Sequence, residues 1–166
     1  MITVNEAILK MTDDGSCTPH DVQHFLKVWA YARLIGMQEG LDERTQKTLE
    51  FAAIVHDIAC PSLRREHGSA PGHLQEIVGP PLVHDFYEGS GLDPEMIERI
   101  SFLVGHHHSY SGVDGPDWQI LLEADYLVNA DESHAALEEI RKFKEKVFRT
   151  GTGKKLLDQI YGIREG

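Results

Sequence analysis

Residues 51–59 read Phe-Ala-Ala-Ile-Val-His-Asp-Ile-Ala, a stretch apolar nearly all round except for one adjacent base and acid, His56 and Asp57. Such a stretch belongs in a core, and an unpaired carboxylate carried in with it costs several kcal/mol or is forced neutral. Whatever fold the chain takes must bring a compensating group to that point.

The pattern around it is helical. No segment alternates apolar and polar residues for long, whereas several repeat at helical spacing, so the predicted class is all-α and the predicted organisation a single domain over 1–166. A short helix is predicted over 4–11, ended by the Asp13-Asp14-Gly15-Ser16 cluster. Thr18 has the place of an N-cap and Pro19 the first position of a long helix, which Gly40 closes. Asp42 caps the next, which runs to Ala59 and is stopped by Pro61. Residues 62–72, with their Pro and Gly punctuation and with Arg64, Arg65 and His67, read as a loop. A helix follows over 73–87, where Pro80 and Pro81 remove donors and mark a break point. Asp93-Pro94 starts a helix that ends at the His106-His107-His108 run. The last three are predicted over 117–131, 135–148 and 154–161, with Thr150-Gly151-Thr152-Gly153 as a breaker between the final two. Leu137, Ile140, Phe143 and Val147 recur at helical spacing, so the helices of 132–166 are expected to pack on a core of about 18–131, a homodimer face being the other use of that stripe.

Two further polar residues sit where apolar ones belong. His24 shares a stripe with Val28, Tyr31 and Ile35, so its imidazole faces inward. Asp125 lies within one turn of Leu121, Leu122 and Val128 on the inward face of its helix. Two imidazoles and two carboxylates converging in a core would make an N/O site for a divalent cation, which supplies the missing counter-charge.

The chain carries 27 acidic against 16 basic residues, a formal charge of −11, which argues against nucleic acid and anionic membranes as partners. A small anion remains compatible, because a bound metal inverts the local field. The two cysteines, Cys17 and Cys60, have neither metal-pair spacing nor a disulfide framework, and residues 1–11 lack the features of a secretory leader; the expected location is cytoplasmic.

His24, then the adjacent His56-Asp57 at the end of an apolar helix, then Asp125 in a Glu-Ala-Asp-Tyr-Leu helix form an ordered set that resembles the HD superfamily across about 18–131. The resemblance implies an HD-domain helical bundle in which these four residues hold a divalent metal (Fe, Mn, Mg, Co, Ni or Zn) and a metal-dependent phosphohydrolase acting on a small phosphorylated molecule or nucleotide. It also implies one or two ions: binuclear members add histidines between the His-Asp pair and the last Asp, and His106 and His107 stand at comparable positions, with His73, Glu76 and His84 as further candidates. Within such a site Asp57 is expected to keep a free oxygen for orienting the attacking water, and Arg64 and Arg65 to clamp a phosphate. The Gly-Tyr-Pro signature of the cyclic-dinucleotide group and the acidic pair of the stringent-response hydrolases are absent. The same scaffold also carries di-iron oxygenases and non-catalytic metal or ligand sensors, and both remain alternatives.

Overall fold

The computed structural model describes residues 1–13 and 15–163. Asp14, part of the cluster predicted to end the first helix, lies outside the described residues, as do 164–166 of the predicted domain. Among the described residues the chain forms nine α-helices: α1 (Val4–Thr12), α2 (Pro19–Gln38), α3 (Glu43–Val55), α4 (Cys60–His67), α5 (Gly72–Tyr87), α6 (Pro94–Val104), α7 (Pro116–Glu132), α8 (Leu137–Val147) and α9 (Gly151–Tyr161). None of them is long and apolar enough to cross a membrane.

Local chemistry sets most of the boundaries. At α2 the Thr18 hydroxyl accepts from the Asp21 amide and the Asp21 carboxylate accepts from the Thr18 amide, a reciprocal cap with Pro19 at the first helical position. Asp42 and Asp93 cap α3 and α6 through their side chains. The long helix α2 packs against α3 and α7, α3 against α6 and α7, and α5 against α6, while α8 and α9 attach along α7. The core between them is closed by Val28, Ala32 and Ile35 of α2, Ala52, Ala53 and Ile54 of α3, and Ile120, Leu121 and Ala124 of α7, all with no exposed surface.

Four predicted features are corrected. The helix expected to run to Ala59 ends at Val55. Residues 56–59 turn instead through three-residue hydrogen bonds, Ile58 N–H to Val55 O and Cys60 N–H to Asp57 O. Pro61 has no N–H to offer the Asp57 carbonyl, and the Cys60 amide takes it. The stretch 62–72, expected to be a loop, is helical to His67: Pro61 serves in the first turn of α4, and Gly68, at φ 76°, ends it in the left-handed conformation. Pro80 and Pro81 do not break α5, which runs through both. The break expected over Thr150–Gly153 falls at 148–150 instead: Thr150 caps α9 by accepting from the Gly153 amide, and residues 151–153 are helical.

A buried carboxylate joins the two C-terminal helices to the rest. Glu123 of α7 has no exposed surface. It accepts from the main-chain amides of Arg149 (2.7 Å) and Thr150 (3.0 Å), from Gln119 Nε2 (2.8 Å) and from the Thr150 hydroxyl. Gly153 makes the approach possible, since a Cβ there would lie 2.0 Å from Glu123 Oε2.

Candidate metal centre

The early end of α3 has a direct effect on chemistry. It places His56 on the last turn of α3 and Asp57 on the junction before α4, so that the two adjacent side chains reach one point from different backbone directions. His24 reaches that point from α2 and Asp125 from α7. His24 Nε2 stands 3.1 Å from His56 Nε2, 3.4 Å from Asp57 Oδ2 and 3.3 Å from Asp125 Oδ1, and His56 Nε2 stands 3.4 Å from Asp125 Oδ1. Beyond α6, His107 Nε2 lies 3.3 Å from the other oxygen of the same aspartate, Asp57 Oδ1.

The tautomers follow from the partners. His56 Nδ1 faces the Ala53 carbonyl at 2.8 Å and His107 Nδ1 faces the Val104 carbonyl at 2.7 Å; a carbonyl only accepts, so each Nδ1 carries the hydrogen and each Nε2 is the ligating nitrogen. His24 Nδ1 donates to Glu132 Oε2 at 2.8 Å with the same result. Glu132 lies seven residues beyond Asp125, two turns along the same face of α7, so one helix supplies both a carboxylate of the cluster and the group that orients a histidine of it.

His108, not His106, is the second histidine turned to this place. Gln75 donates its amide to the Ala70 carbonyl (2.7 Å), which leaves its oxygen for His108 Nε2–H (3.1 Å) and frees His108 Nδ1. Asp57, His107 and His108 can together offer ligand atoms all within 4.8 Å of one another, as can His24, His56 and Asp57. His106, expected in the site, donates to the Phe102 carbonyl (2.7 Å) and stacks on the Phe102 ring, since three consecutive residues at a helix end cannot all point one way. Glu76 accepts from the His108 amide and the Ser109 hydroxyl and so braces the turn from behind. His73 is exposed and His84 pairs with Glu98 at 3.7 Å, both away from the cluster.

Electrostatics identify what is missing. Two imidazole Nε2 atoms 3.1 Å apart, each with its hydrogen committed to Nδ1, repel unless a proton or a cation lies between them. Burial would lower the His24 pKa, but Asp125 and Asp57 beside it raise the value to about 9. Asp57 and Asp125 resist burial in the same way, held well below the usual carboxylate range by the neighbouring imidazoles. The buried His107 Nε2 and Asp125 Oδ1 have no hydrogen-bond partner among the described residues. These unpartnered atoms, together with an N/O donor set, fit a divalent cation.

The arginines are placed differently from expectation. Arg64 donates to Asp21 Oδ2 at 2.6 Å, and Arg65 is exposed with Glu66 at 4.0 Å; both stand on α4, not on a loop. Asp57 stands at the centre of the cluster, with Oδ2 turned towards His24 and Oδ1 towards His107. Trp118 and Tyr126 are packing groups: Trp118 is buried and Tyr126 stacks on Phe143 with ring centroids 3.6 Å apart.

The family model for the HD domain matches residues 21–136. The chain belongs to the HD-domain family. That span holds every residue of the cluster, and the family is one of metal-dependent hydrolases. The fold is similar to a crystal structure described as a predicted HD superfamily hydrolase from an uncultured Thermotogales bacterium. The TM-score is 0.64, at 21% identity over 96% of this chain and 83% of that one, a likeness of fold. No curated protein matches.

Proposed function

We propose that this HD-domain protein is a phosphohydrolase acting on a small phosphate ester or nucleotide, in which His24, His56, Asp57, Asp125, His107 and His108 would hold one or two divalent ions. The observation that carries the proposal is the division of the Asp57 carboxylate, with Oδ2 towards His24 and Oδ1 towards His107. On this reading His24, His56 and Asp125 would serve one ion, and His107 and His108 a second, with Asp57 within reach of both. Bound divalent ions would polarise a phosphoryl oxygen and bring the pKa of their water from about 16 towards 7.

The protein's own groups hold the geometry. Glu132, Ala53 O, Val104 O and Gln75 each fix the ring orientation and tautomer of one histidine, so the ligating nitrogens need not reorganise as charge develops on the phosphate. Asp57 also marks the open side: its side chain is 31% exposed, against 7% for His24 and 8% for Asp125. A phosphate would approach the cluster from the Asp57 side. The charges of Asp57 and Arg64 both act on the Cys60 thiol, which suits Arg64 to the edge of a phosphate site once it is released from Asp21.

The test is phosphate release from a panel of nucleotides and simple esters by protein loaded in turn with Mn²⁺, Mg²⁺ and Co²⁺. Turnover that disappears in Asp57→Ala supports the reading. Phosphate release undiminished in that variant, or turnover only with iron and with uptake of oxygen, overturns it.

A further inference from the structure

The chain's charge is unevenly distributed. Seven of its 16 Lys and Arg residues, but only two of its 27 Asp and Glu residues, lie between positions 141 and 163. That segment carries a net charge of +5 in a chain of −11, and it lies beyond the residues matched by the family model.

The fold gathers this charge into a concavity. Residues at successive turns of α8 and α9 face each other across a groove of about 490 Å³, within the range of small-ligand sites. It is lined by Arg141, Lys144, Arg149 and Lys154, with Glu145 and Asp158 as its acids. Lys144 is committed, donating to both oxygens of Asp158 at 2.6 and 2.7 Å. Arg149 donates to the carbonyls of Glu145, Lys146 and Phe148, which fixes its guanidinium without neutralising it. Among the described residues Arg141, Arg149 and Lys154 have no carboxylate within 4 Å. The groove is also preorganised, since the main chain between its two walls is held by Glu123.

We propose that the groove between α8 and α9 binds a small phosphorylated molecule carrying two or more phosphate charges, at a site separate from the metal centre. Three cations free of ion pairs, in a concavity whose lining carries a net charge of +2 with Glu145 and Asp158 counted, suit a compact polyanion, and arginine presents a planar fork matched to phosphate oxygens. Nucleic acid or an anionic bilayer would extend past the groove onto a surface where the remaining residues carry a net −16, and that field opposes a long anion. None of the groove residues belongs to the histidine–aspartate cluster, so the site stands whether or not the cluster hydrolyses phosphate.

The experiment is an NMR titration of the metal-loaded, isotopically labelled protein with adenosine 3′,5′-bisphosphate, a weak chelator, with the phosphorus spectrum of the titrant reporting any turnover. Saturable shifts are expected in the amides of 141–163, weakening as salt is raised. Removing two charged donors in R141Q/K154Q should lower the affinity at least about tenfold. K47Q, which removes a lysine from an exposed pair with Glu43, should leave it unchanged. Shifts confined to residues around Asp57 and His107, an affinity untouched by R141Q/K154Q, or a groove occupied instead by a second copy in sedimentation and insensitive to the bisphosphate would each overturn the proposal.

Discussion

Replacing Glu132 should loosen the metal without unfolding the protein, and the size of the effect follows from its contacts. Glu132 Oε2 accepts from His24 Nδ1 at 2.8 Å, and its other oxygen accepts from Lys27 at 3.3 Å. A hydrogen bond to a charged group contributes about 1.5–3 kcal/mol and a neutral one about 0.5–1.5 kcal/mol. Glu132→Gln keeps an acceptor in place and loses the charge, a difference of about 1 kcal/mol, or roughly fivefold in metal affinity. Glu132→Ala removes the acceptor, frees the ring to rotate and lets Nε2 carry the hydrogen in part of the population. The expected loss is then about 10- to 100-fold, the range for groups that orient metal-bound histidines. Competition against a chromophoric chelator measures both variants, and circular dichroism of the metal-free proteins checks that the fold is retained. Affinities for both variants within twofold of the parent would refute the claim that this carboxylate sets the His24 tautomer.

Other consequences are equally accessible. Glu123→Ala strands two main-chain amides and a hydroxyl inside the protein and should cost about 3–5 kcal/mol in chemical denaturation, the loss expected when a buried partner of polar groups is removed. Gly72→Ala places a methyl group 2.8 Å from His108 Cγ, which must move the ring; metal analysis should show the His107–His108 position depleted before the His24–His56 position. Burial opposes ionisation of Asp21, but its hydrogen bonds from Thr18 and Arg64 prevail and lower its pKa. A lowered folded-state pKa gives stability that is present above the unfolded value and lost as pH falls. Asp21→Asn should therefore flatten the acid limb of a stability–pH curve and leave the neutral region nearly parallel to the parent, and an acid limb as steep as before would contradict this.

The four residues nearest the heart of the centre were legible in sequence because each violates a pattern: His24 on an apolar stripe, His56 and Asp57 after an apolar run, Asp125 on an inward face. What the sequence hid depends on backbone detail below the resolution of periodicity. Each step along a helix end turns a side chain by about 100°, so choosing His107 and His108 over His106 required knowing where α6 stops. Glu132 violates no pattern of its helix; its only signal is the seven-residue spacing from Asp125. The Pro and Gly punctuation of 62–72 predicts a loop where α4 forms, because proline in a first turn begins a helix as well as it stops one.

Because Glu123 grips 149 and 150 by their main-chain amides and by a single hydroxyl, the attachment of the C-terminal hairpin makes few demands on the side chains it displays to solvent. Mutation can recolour that outer face, from basic to acidic or from polar to greasy, while the helical scaffold behind it keeps its register. An anchorage of main-chain amides and inward-facing side chains thus leaves the solvent face of the appendage free to diversify independently of the histidine–aspartate cluster.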